Sequence, residues 1–192
     1  MDKKTLLTGA GGLVGLQVKA DIRIDGKDQL DLRDWNATIK YFEETKPTQV
    51  IHCAARVGGV LANMNHMGEF FHDSMAMNLN VLEAARRTGV QKVVSFLSTC
   101  IYPEQAKYPL VETDLHSGEP HESNFAYAYA KRMLEVQSRA YRKQYGVNYI
   151  CVVPTNIYGP NDNFSLDGGH VVPALIHKCY LAKKNKTDLV VW

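Results

Sequence analysis

The sequence predicts an α/β protein built on a doubly wound parallel β-sheet. Short apolar segments alternate along the chain with longer segments whose apolar residues recur at helical spacing. The short segments are apolar throughout rather than alternating with polar residues, which is typical of strands in a parallel sheet. The first of them runs directly into a glycine-rich turn. This alternation favours a sheet with helices on both faces.

The first 54 residues contain three predicted strands and one helix. Lys4–Thr8 is a short apolar strand that ends at the glycine-rich turn, and Asp21–Ile24 is a weaker second strand. Thr38–Thr45 carries two apolar residues at helical spacing, which predicts a helix. Gln49–Ala54 is the third strand.

The rest of the chain contains two long helices, two strands and a final helix. The first long helix, Gly68–Thr88, carries four apolar residues along one stripe. Glycines that follow the long helices are predicted to end them. These glycines are Gly89, after the first long helix, and Gly146, after the second, Phe125–Tyr145. The remaining elements are the strands Lys92–Ser98 and Asn148–Val153 and a helix from about Pro173 to Lys183.

Two stretches do not fit a regular α/β pattern. Only five residues, Leu16–Ala20, separate Gly15 from the second strand, whereas a parallel crossover needs about a dozen or more. We therefore expect either an unusually short first helix or further residues in the physical chain between about Leu16 and Lys27. The last seven residues, 186–192, resemble the beginning of a strand, which indicates truncation. We accordingly predict a first domain over residues 1–160 and a partial second domain over 161–192.

Composition excludes several classes of protein. The 192 residues are 45% hydrophobic and 22% charged, with a net charge of +2, so no basic field points to nucleic acid. No apolar run approaches the roughly 20 residues of a membrane-spanning helix, and no secretory signal is evident. The four cysteines stand far apart without a CxxC pair, which argues against a zinc site or any other metal site. We expect a soluble protein of the reducing cytoplasm.

The glycine-rich turn has the spacing of a dinucleotide-binding loop. Gly9, Gly12 and Gly15 form a GxxGxxG pattern that follows the first strand. The first glycine permits a tight turn, and the second lets the backbone approach a pyrophosphate at a helix N-terminus. The sheet would then be of the Rossmann type. The alternative is a glycine-rich turn that binds nothing.

Five further residues carry groups suited to acid–base chemistry. Tyr127 and Lys131 form a YxxxK pair on one helix face, where an ammonium can lower the pKa of the phenol; Tyr129 is the weaker candidate. Ser98 and Cys100 follow a strand end, where ligands of open sheets bind. Taken singly, Ser98 reads as a strand-end cap, Cys100 as a small buried side chain, and His170 as a polar residue at a helix N-terminus.

In combination and in this order, the motifs resemble the extended short-chain dehydrogenase/reductase family. Four segments extend the resemblance to the members of that family that epimerise and reduce a GDP-4-keto-6-deoxyhexose. They are ARVGGVLAN (55–63), SFLSTCIYP (95–103), residues 108–133, and the PTNIYGP segment with its continuation (154–178). The chain has Ser-Thr-Cys where dehydratase relatives carry a set like Thr-Asp-Glu.

The resemblance implies an NADP(H) site. Lys27 or Arg23 would contact the 2′-phosphate. The implied cofactor-binding residues are Gly9, Gly12, Leu13, Val14, Gly15, Asp31, Leu32, Ala54, Ala55, Leu97, Ser98, Thr99, Tyr127, Lys131, Pro154, Asn156, Ile157 and His170.

It also implies a set of catalytic and substrate-binding residues. Ser98, Tyr127 and Lys131 would perform the reduction. Cys100 would be the base of the epimerisation and His170 the acid. Asn156 and Lys178 would contact the GDP-sugar substrate.

Alternatives remain open for both the activity and the assembly. A nucleotide-sugar 4-epimerase of the same family needs no base at C3 and C5, so the pairing of Cys100 with His170 discriminates against it. A truncated, non-catalytic dinucleotide-binding module is the other alternative. The helices at 68–88 and 125–145 resemble those through which the family forms homodimers, although their apolar stripes could instead pack on the sheet.

Overall fold

Five parallel strands form the centre of the protein in a computed structural model that describes residues 3–166 and 168–191. The strands are β1 (Thr5–Thr8), β2 (Ile22–Ile24), β3 (Gln49–His52), β4 (Lys92–Phe96) and β5 (Asn148–Val152). They are arranged in the order β2-β1-β3-β4-β5, and every adjacent pair is parallel. This is a common doubly wound order, and its direction reverses between β1 and β3. The predicted fold class is confirmed.

Among the described residues, five α-helices accompany the sheet: α1 (Trp35–Thr45), α2 (Val60–Asn65), α3 (Met67–Arg87), α4 (Phe125–Tyr145) and α5 (Val171–Asn185). The sequence missed α2, because six residues are too few to show a helical period. It also began α1 too late, since Asp34 caps the helix by accepting a hydrogen bond from the Ala37 amide. Gly89 and Gly146 follow the long helices with φ of +76° and +68°, so their predicted role is confirmed.

The best-packed core lies between the sheet and helices α1, α3 and α4. Leu6, Val50, Val93 and Tyr149 occupy the same register on four adjacent strands and are at most 2% exposed. On the opposite face, Ile150 remains 36% exposed. The helices therefore cover one face more completely than the other.

The reason lies in the crossover from β1 to β2. It contains one 3₁₀ turn, Gly15–Gln17, where a doubly wound fold usually has a helix. The chain then enters β2 at once, with the Asp21 amide bonded to the Thr5 carbonyl. The crossover is short, as the short-helix alternative expected, and our expectation of further residues in the physical chain between about Leu16 and Lys27 stays a prediction.

The C-terminal segment also differs from its prediction. Residues 187–191 have no regular secondary structure, whereas the sequence predicted the beginning of a strand. Trp192 lies outside the described residues. The division into domains at residue 160 stays a prediction. Within the described part of the chain, no helix is long and apolar enough to cross a membrane.

A buried histidine joins the sheet to both long helices. The two ring nitrogens of His52 lie 2.7 Å from the Thr8 hydroxyl and 3.0 Å from the Asn78 side-chain oxygen. Asn78 in turn donates to the Ala130 carbonyl on α4. Burial, with the Lys131 ammonium nearby, lowers the pKa of His52 to about 4. His52 is therefore neutral in the folded protein at pH 7.

This burial predicts a loss of stability in mild acid. The folded-state pKa lies below the unfolded value of 6.5, so the unfolded chain takes up the extra proton as the pH falls from 6.5 towards 4. Between pH 7 and pH 5 the free energy of unfolding should decrease by about 2 kcal/mol from this group. Urea unfolding at pH 7, 6 and 5 measures the change. His52→Gln should flatten the dependence, whereas the control His66→Gln, at an exposed site, should not. An unchanged pH dependence in His52→Gln would contradict the prediction.

Candidate active site

A crevice of about 960 Å³ opens at the carboxyl ends of the strands. The loops after β1, β2, β3, β4 and β5 all contribute to it, together with one face of α4 and the N-terminus of α5. Since the strand order reverses between β1 and β3, the crevice lies where open α/β sheets bind their ligands.

Most of the predicted site residues line this crevice. They are Gly9, Gly12, Leu13, Val14, Gly15, Asp31, Leu32, Ala54, Ala55, Leu97, Ser98, Tyr127, Lys131, Pro154, Asn156, Ile157 and His170. Thr99 and Cys100 stand beside this set: the Thr99 hydroxyl is 3.5 Å from the Asn156 side-chain oxygen, and the Cys100 sulfur is 3.0 Å from the Ser98 hydroxyl. Lys178 instead lines a separate cavity of about 230 Å³ beside α5.

The three glycines of the GxxGxxG motif have different reasons to be glycine. Gly9 has φ +68°, and a Cβ there would lie 2.7 Å from the Ala54 nitrogen. A Cβ on Gly15 would lie 2.2 Å from the Gly9 carbonyl oxygen, so the fold itself requires both residues. A Cβ on Gly12 would approach that oxygen only to 3.4 Å. Its absence leaves space in the crevice, which fits the close approach of a pyrophosphate.

The loop is not followed by the long helix that the motif predicts. Leu16 donates its amide to the Gly12 carbonyl, and the turn ends at Gln17. The aligned peptide dipoles of a long helix are therefore missing. Binding of an anion at this loop depends on the free N–H groups of the loop and on nearby basic side chains.

One of the two basic residues predicted to contact a 2′-phosphate is committed elsewhere. The Arg23 guanidinium donates to the main-chain carbonyls of Ala10, Gly15 and Val18. The sequence could not show this, because the contacts depend on how β2 lies beside the loop. Lys27 lines the crevice and remains the candidate.

A cluster of five charged side chains lies at the crevice, and all of them except Glu69 line it. Asp73 accepts hydrogen bonds from Arg33 at 3.0 Å and from Arg56 at 2.7 Å, while Arg33 also binds Asp31 and Arg56 also binds Glu69. Hydrogen bonds from Arg33 lower the pKa of Asp31 to about 2. Three carboxylates against two guanidinium groups leave a net charge of −1. The ion pairs hold Arg33 and Arg56 in place along the crevice.

The YxxxK pair has the expected placement but not the expected electrostatics. Lys131 is 2% exposed, and its ammonium donates to the Phe96 carbonyl at 2.7 Å. It lies 5.8 Å from the centre of the Tyr127 ring. Burial lowers the pKa of Lys131 to about 8. Burial also raises the pKa of Tyr127, and Cys100 adds to that effect. Our expectation that Lys131 lowers the phenol pKa is wrong for this structure, and Tyr127 is a neutral proton donor at pH 7.

Tyr129 points to a different environment. Its hydroxyl donates to the Glu119 carboxylate, and its ring faces the Arg132 guanidinium at 5.3 Å. These contacts agree with the prediction that Tyr129 is a weaker acid–base candidate than Tyr127.

Cys100 and His170, the two residues expected to transfer protons at carbon, have different neighbours. Burial raises the pKa of the Cys100 thiol, and the Ser98 hydrogen bond opposes that effect. His170 faces Asp162, with a nitrogen–oxygen distance of 3.7 Å, and its side chain is 54% exposed. The neighbour of Cys100 is therefore Ser98, and the neighbour of His170 is Asp162.

Sequence reasoning missed two residues that organise the site. Asp162 faces His170 with a side chain that is only 5% exposed, and could orient the imidazole. Arg132 donates its Nε to the Ile101 carbonyl at 2.7 Å. Together with the bond from Lys131 to Phe96, this anchors both ends of the segment that carries Ser98 and Cys100. Two adjacent basic residues on a predicted helix beside the YxxxK tyrosine were the available signal.

Comparison with known proteins agrees with this geometry. A GDP-L-fucose synthase of Dictyostelium discoideum is 47% identical over 98% of this chain and 62% of its own length. A probable GDP-L-fucose synthase of Drosophila melanogaster is 43% identical over 97% of this chain and 61% of its own length. A GDP-L-fucose synthetase of Naegleria fowleri, solved with NADP bound, superimposes with a TM-score of 0.87 at 44% identity. It is covered over 66% of its chain, and this chain over 100%.

The lengths of these proteins differ in two ways. The chain spans about three-fifths of the length of the curated relatives that it matches. The alignment with the Dictyostelium protein extends over 199 positions, so that relative also has residues within the aligned region that this chain of 192 residues lacks.

A family model provides the broadest comparison. The model of the NAD dependent epimerase/dehydratase family matches residues 5–192. This range includes every strand of the sheet and every loop that forms the crevice. Since the match covers nearly the whole chain, the resemblance found in the sequence is confirmed and the protein belongs to the NAD dependent epimerase/dehydratase family.

Proposed function

We propose that this chain is the cofactor-binding and catalytic part of a GDP-L-fucose synthase. The reaction is the 3,5-epimerisation of GDP-4-keto-6-deoxy-D-mannose followed by its NADPH-dependent 4-reduction. The observation that carries the proposal is the single crevice that holds the glycine loop, Ser98, Tyr127, Lys131 and His170, with Cys100 bonded to Ser98. The names of the relatives support it.

The crevice fits NADP(H) as the cofactor. The space left by Gly12 admits a pyrophosphate, and Lys27 supplies a cation at the crevice for the 2′-phosphate. Lys131 and the loop after β5 would hold the nicotinamide end. When bound, NADPH supplies a hydride to C4 of the sugar.

The reduction requires a proton for the C4 oxygen. Tyr127 is neutral and lines the crevice, so it gives its proton to that oxygen as the carbonyl becomes an alcohol. Ser98 donates a hydrogen bond to the same oxygen, and this stabilises negative charge that develops there.

The epimerisation requires proton removal from carbon. The 4-keto group acidifies the hydrogens on C3 and C5. The Cys100 thiolate takes one such proton, the electrons of the C–H bond move to the C4 oxygen, and His170 returns a proton to the opposite face of the carbon. Because burial raises the pKa of Cys100, the thiolate fraction and the rate of proton removal increase with pH.

The test follows both chemistries in one experiment. The purified chain is mixed with NADPH and GDP-4-keto-6-deoxy-D-mannose in D₂O. We expect NADPH oxidation and deuterium at C3 and C5 of the product. NADPH oxidation without deuterium at these carbons would contradict the epimerisation and favour a plain reductase.

A second candidate is a dinucleotide-binding module without turnover. One observation favours it, because the Cys100 thiol is bonded to Ser98 and is not among the residues that line the crevice. Titration of protein fluorescence with NADPH, together with the turnover experiment, separates the two candidates. Binding of NADPH without turnover would favour the module.

We also propose that the protein is a cytoplasmic homodimer. Its four cysteines are free, which suits a reducing compartment. On α3, Leu82 is buried against the sheet, but Phe71 and Leu79 remain 41% and 47% exposed. Phe125 on the adjoining α4 is 41% exposed. The apolar stripe is therefore only partly used by the sheet, and a second copy would cover the rest through helices 68–88 and 125–145.

A charge on this surface is expected to separate the subunits. Leu79→Glu places a carboxylate at the centre of the proposed interface, where burial without a partner is costly. Light scattering after size-exclusion chromatography should show a dimer for the wild type and a monomer for Leu79→Glu. Leu61→Glu, at a 59% exposed site on α2, is the control and should remain dimeric. If the wild type is a monomer at a protein concentration on the order of 100 µM, the proposal is refuted.

A further inference from the structure

The short crossover leaves main-chain carbonyls that a helix would normally satisfy. In a regular helix each carbonyl accepts the amide four residues later. Here the Gly12 carbonyl accepts the Leu16 amide in that way, but the 3₁₀ turn ends at Gln17. The carbonyl of Ala10, in the glycine loop, and that of Val18, directly after the turn, need partners from another part of the chain.

A single side chain supplies those partners. Arg23 on β2 donates from Nη1 to the Val18 carbonyl at 2.8 Å and from Nη2 to the Ala10 carbonyl at 2.9 Å. Nη2 also lies 3.3 Å from the Gly15 carbonyl. The planar fork of the guanidinium can reach several acceptors at once, which an ammonium cannot do in the same fixed geometry.

The neighbouring residue holds the other side of the loop. The Ala10 amide donates to the Ile24 carbonyl at 2.9 Å. Adjacent residues of β2 therefore bind both the N–H and the C=O of Ala10, between the first two glycines of the motif. The side chain of Arg23 is 34% exposed, and the nearest carboxylate oxygen, on Asp25, is 3.8 Å from its Nε.

We propose that Arg23 is a positioning residue that holds the glycine loop in the form that receives the dinucleotide pyrophosphate. It replaces the first helix that the crossover omits. The inference rests on the proposed function only in requiring that the crevice binds a nicotinamide dinucleotide. Arg23 acts on the loop shared by all such dinucleotides, whereas Lys27 distinguishes those that carry a 2′-phosphate.

This division of roles makes a sharp test possible. Arg23→Met keeps most of the side-chain length but removes the donors. Its dissociation constants for NADPH and NADH, measured by fluorescence titration, should both increase by about 10–100-fold, because the binding loop is no longer preorganised. The ratio of the two constants should stay as in the wild type. The matched variant Lys27→Met should weaken NADPH binding and leave NADH binding unchanged.

Other outcomes would overturn the inference. A loss confined to NADPH in Arg23→Met would make Arg23 a direct 2′-phosphate contact. Unchanged affinity for both dinucleotides would show that it positions nothing. If the wild type binds neither dinucleotide, the proposed function fails, and hydrogen exchange of the residue 11–16 amides then tests the positioning separately. Those amides should exchange faster in Arg23→Met than in wild type, and equal rates would refute the positioning.

A second variant guards against misfolding. Arg23→Lys retains a cation that can reach one carbonyl, so it should fold and show an intermediate loss of affinity for both dinucleotides. Circular dichroism and thermal unfolding identify the folded variants, which keep the wild-type spectrum and unfold above the temperature of the titration. A folded Arg23→Lys with wild-type affinity for both would show that the fork geometry is unimportant.

Discussion

Replacing Tyr127 by phenylalanine is expected to reduce hydride transfer to the 4-keto sugar by roughly 10²–10⁴-fold, the range for loss of a general acid. The variant keeps the aromatic ring and loses only the hydroxyl, which lies in a crevice with Ser98 and Lys131. NADPH binding should therefore stay within a few-fold of wild type. Stopped-flow measurement of NADPH absorbance reports the hydride step, and fluorescence titration reports binding.

The same helix offers a matched control. Tyr129→Phe removes a hydroxyl that binds Glu119 and lies outside the crevice, so it should change the rate very little. Lys131→Met should weaken both binding and reduction. A large loss of rate in Tyr129→Phe, with Tyr127→Phe near wild type, would show that Tyr129 and not Tyr127 is the proton donor.

Replacing Cys100 by serine is expected to abolish exchange of the C3 and C5 hydrogens with solvent deuterium. A serine hydroxyl does not ionise in the accessible pH range, whereas a thiol with a pKa of about 8.5 in water can become a base. Burial raises the pKa of Cys100, so exchange in the wild type should accelerate as the pH rises above neutrality. NMR of the sugar in D₂O follows the exchange. NADPH binding and direct reduction of the unepimerised keto sugar should persist.

Two variants separate the base from the acid and from cysteines in general. His170→Gln should permit proton removal but block correct return of the proton, which gives exchange without net epimerisation. Cys179→Ser changes an exposed thiol and should leave exchange unaffected. If Cys100→Ser still incorporates deuterium at a rate near wild type, the thiol is not the base, and a plain reductase or a 4-epimerase becomes the better assignment.

The elements that the sequence predicted correctly are those with a strong local signal. The bounds of α4 were predicted to the residue because its helical pattern ends at a glycine that adopts positive φ. The strand-end rule placed Ser98 at the carboxyl edge of the sheet, because the ends of parallel strands meet there. Tyr127, on α4, was assigned to the same site by the family resemblance. Local pattern and topology were sufficient for α4 and Ser98.

Features that depend on contacts between distant side chains could not be predicted. Nothing local to Arg23 shows that its guanidinium binds the loop that precedes it. The direction of the Lys131 ammonium towards Phe96 rather than the phenol depends on the packing of α4 against β4. The pairing of Asp162 with His170 depends on a loop whose path has no periodic signal.

The segment from Phe96 to Ile101, which carries Ser98 and Cys100, is anchored at both ends by α4. This anchoring has a consequence for how the site forms and opens. Lys131 and Arg132 bind carbonyls that are 35 and 31 residues away in sequence. The turn with Ser98 and Cys100 therefore acquires its shape only when α4 has docked on the sheet. Opening of this turn should be part of the same cooperative unfolding unit as α4, rather than an independent loop motion. In a partly folded chain the acid–base groups would be present in the sequence but not yet assembled, so chemical competence should appear only late in folding.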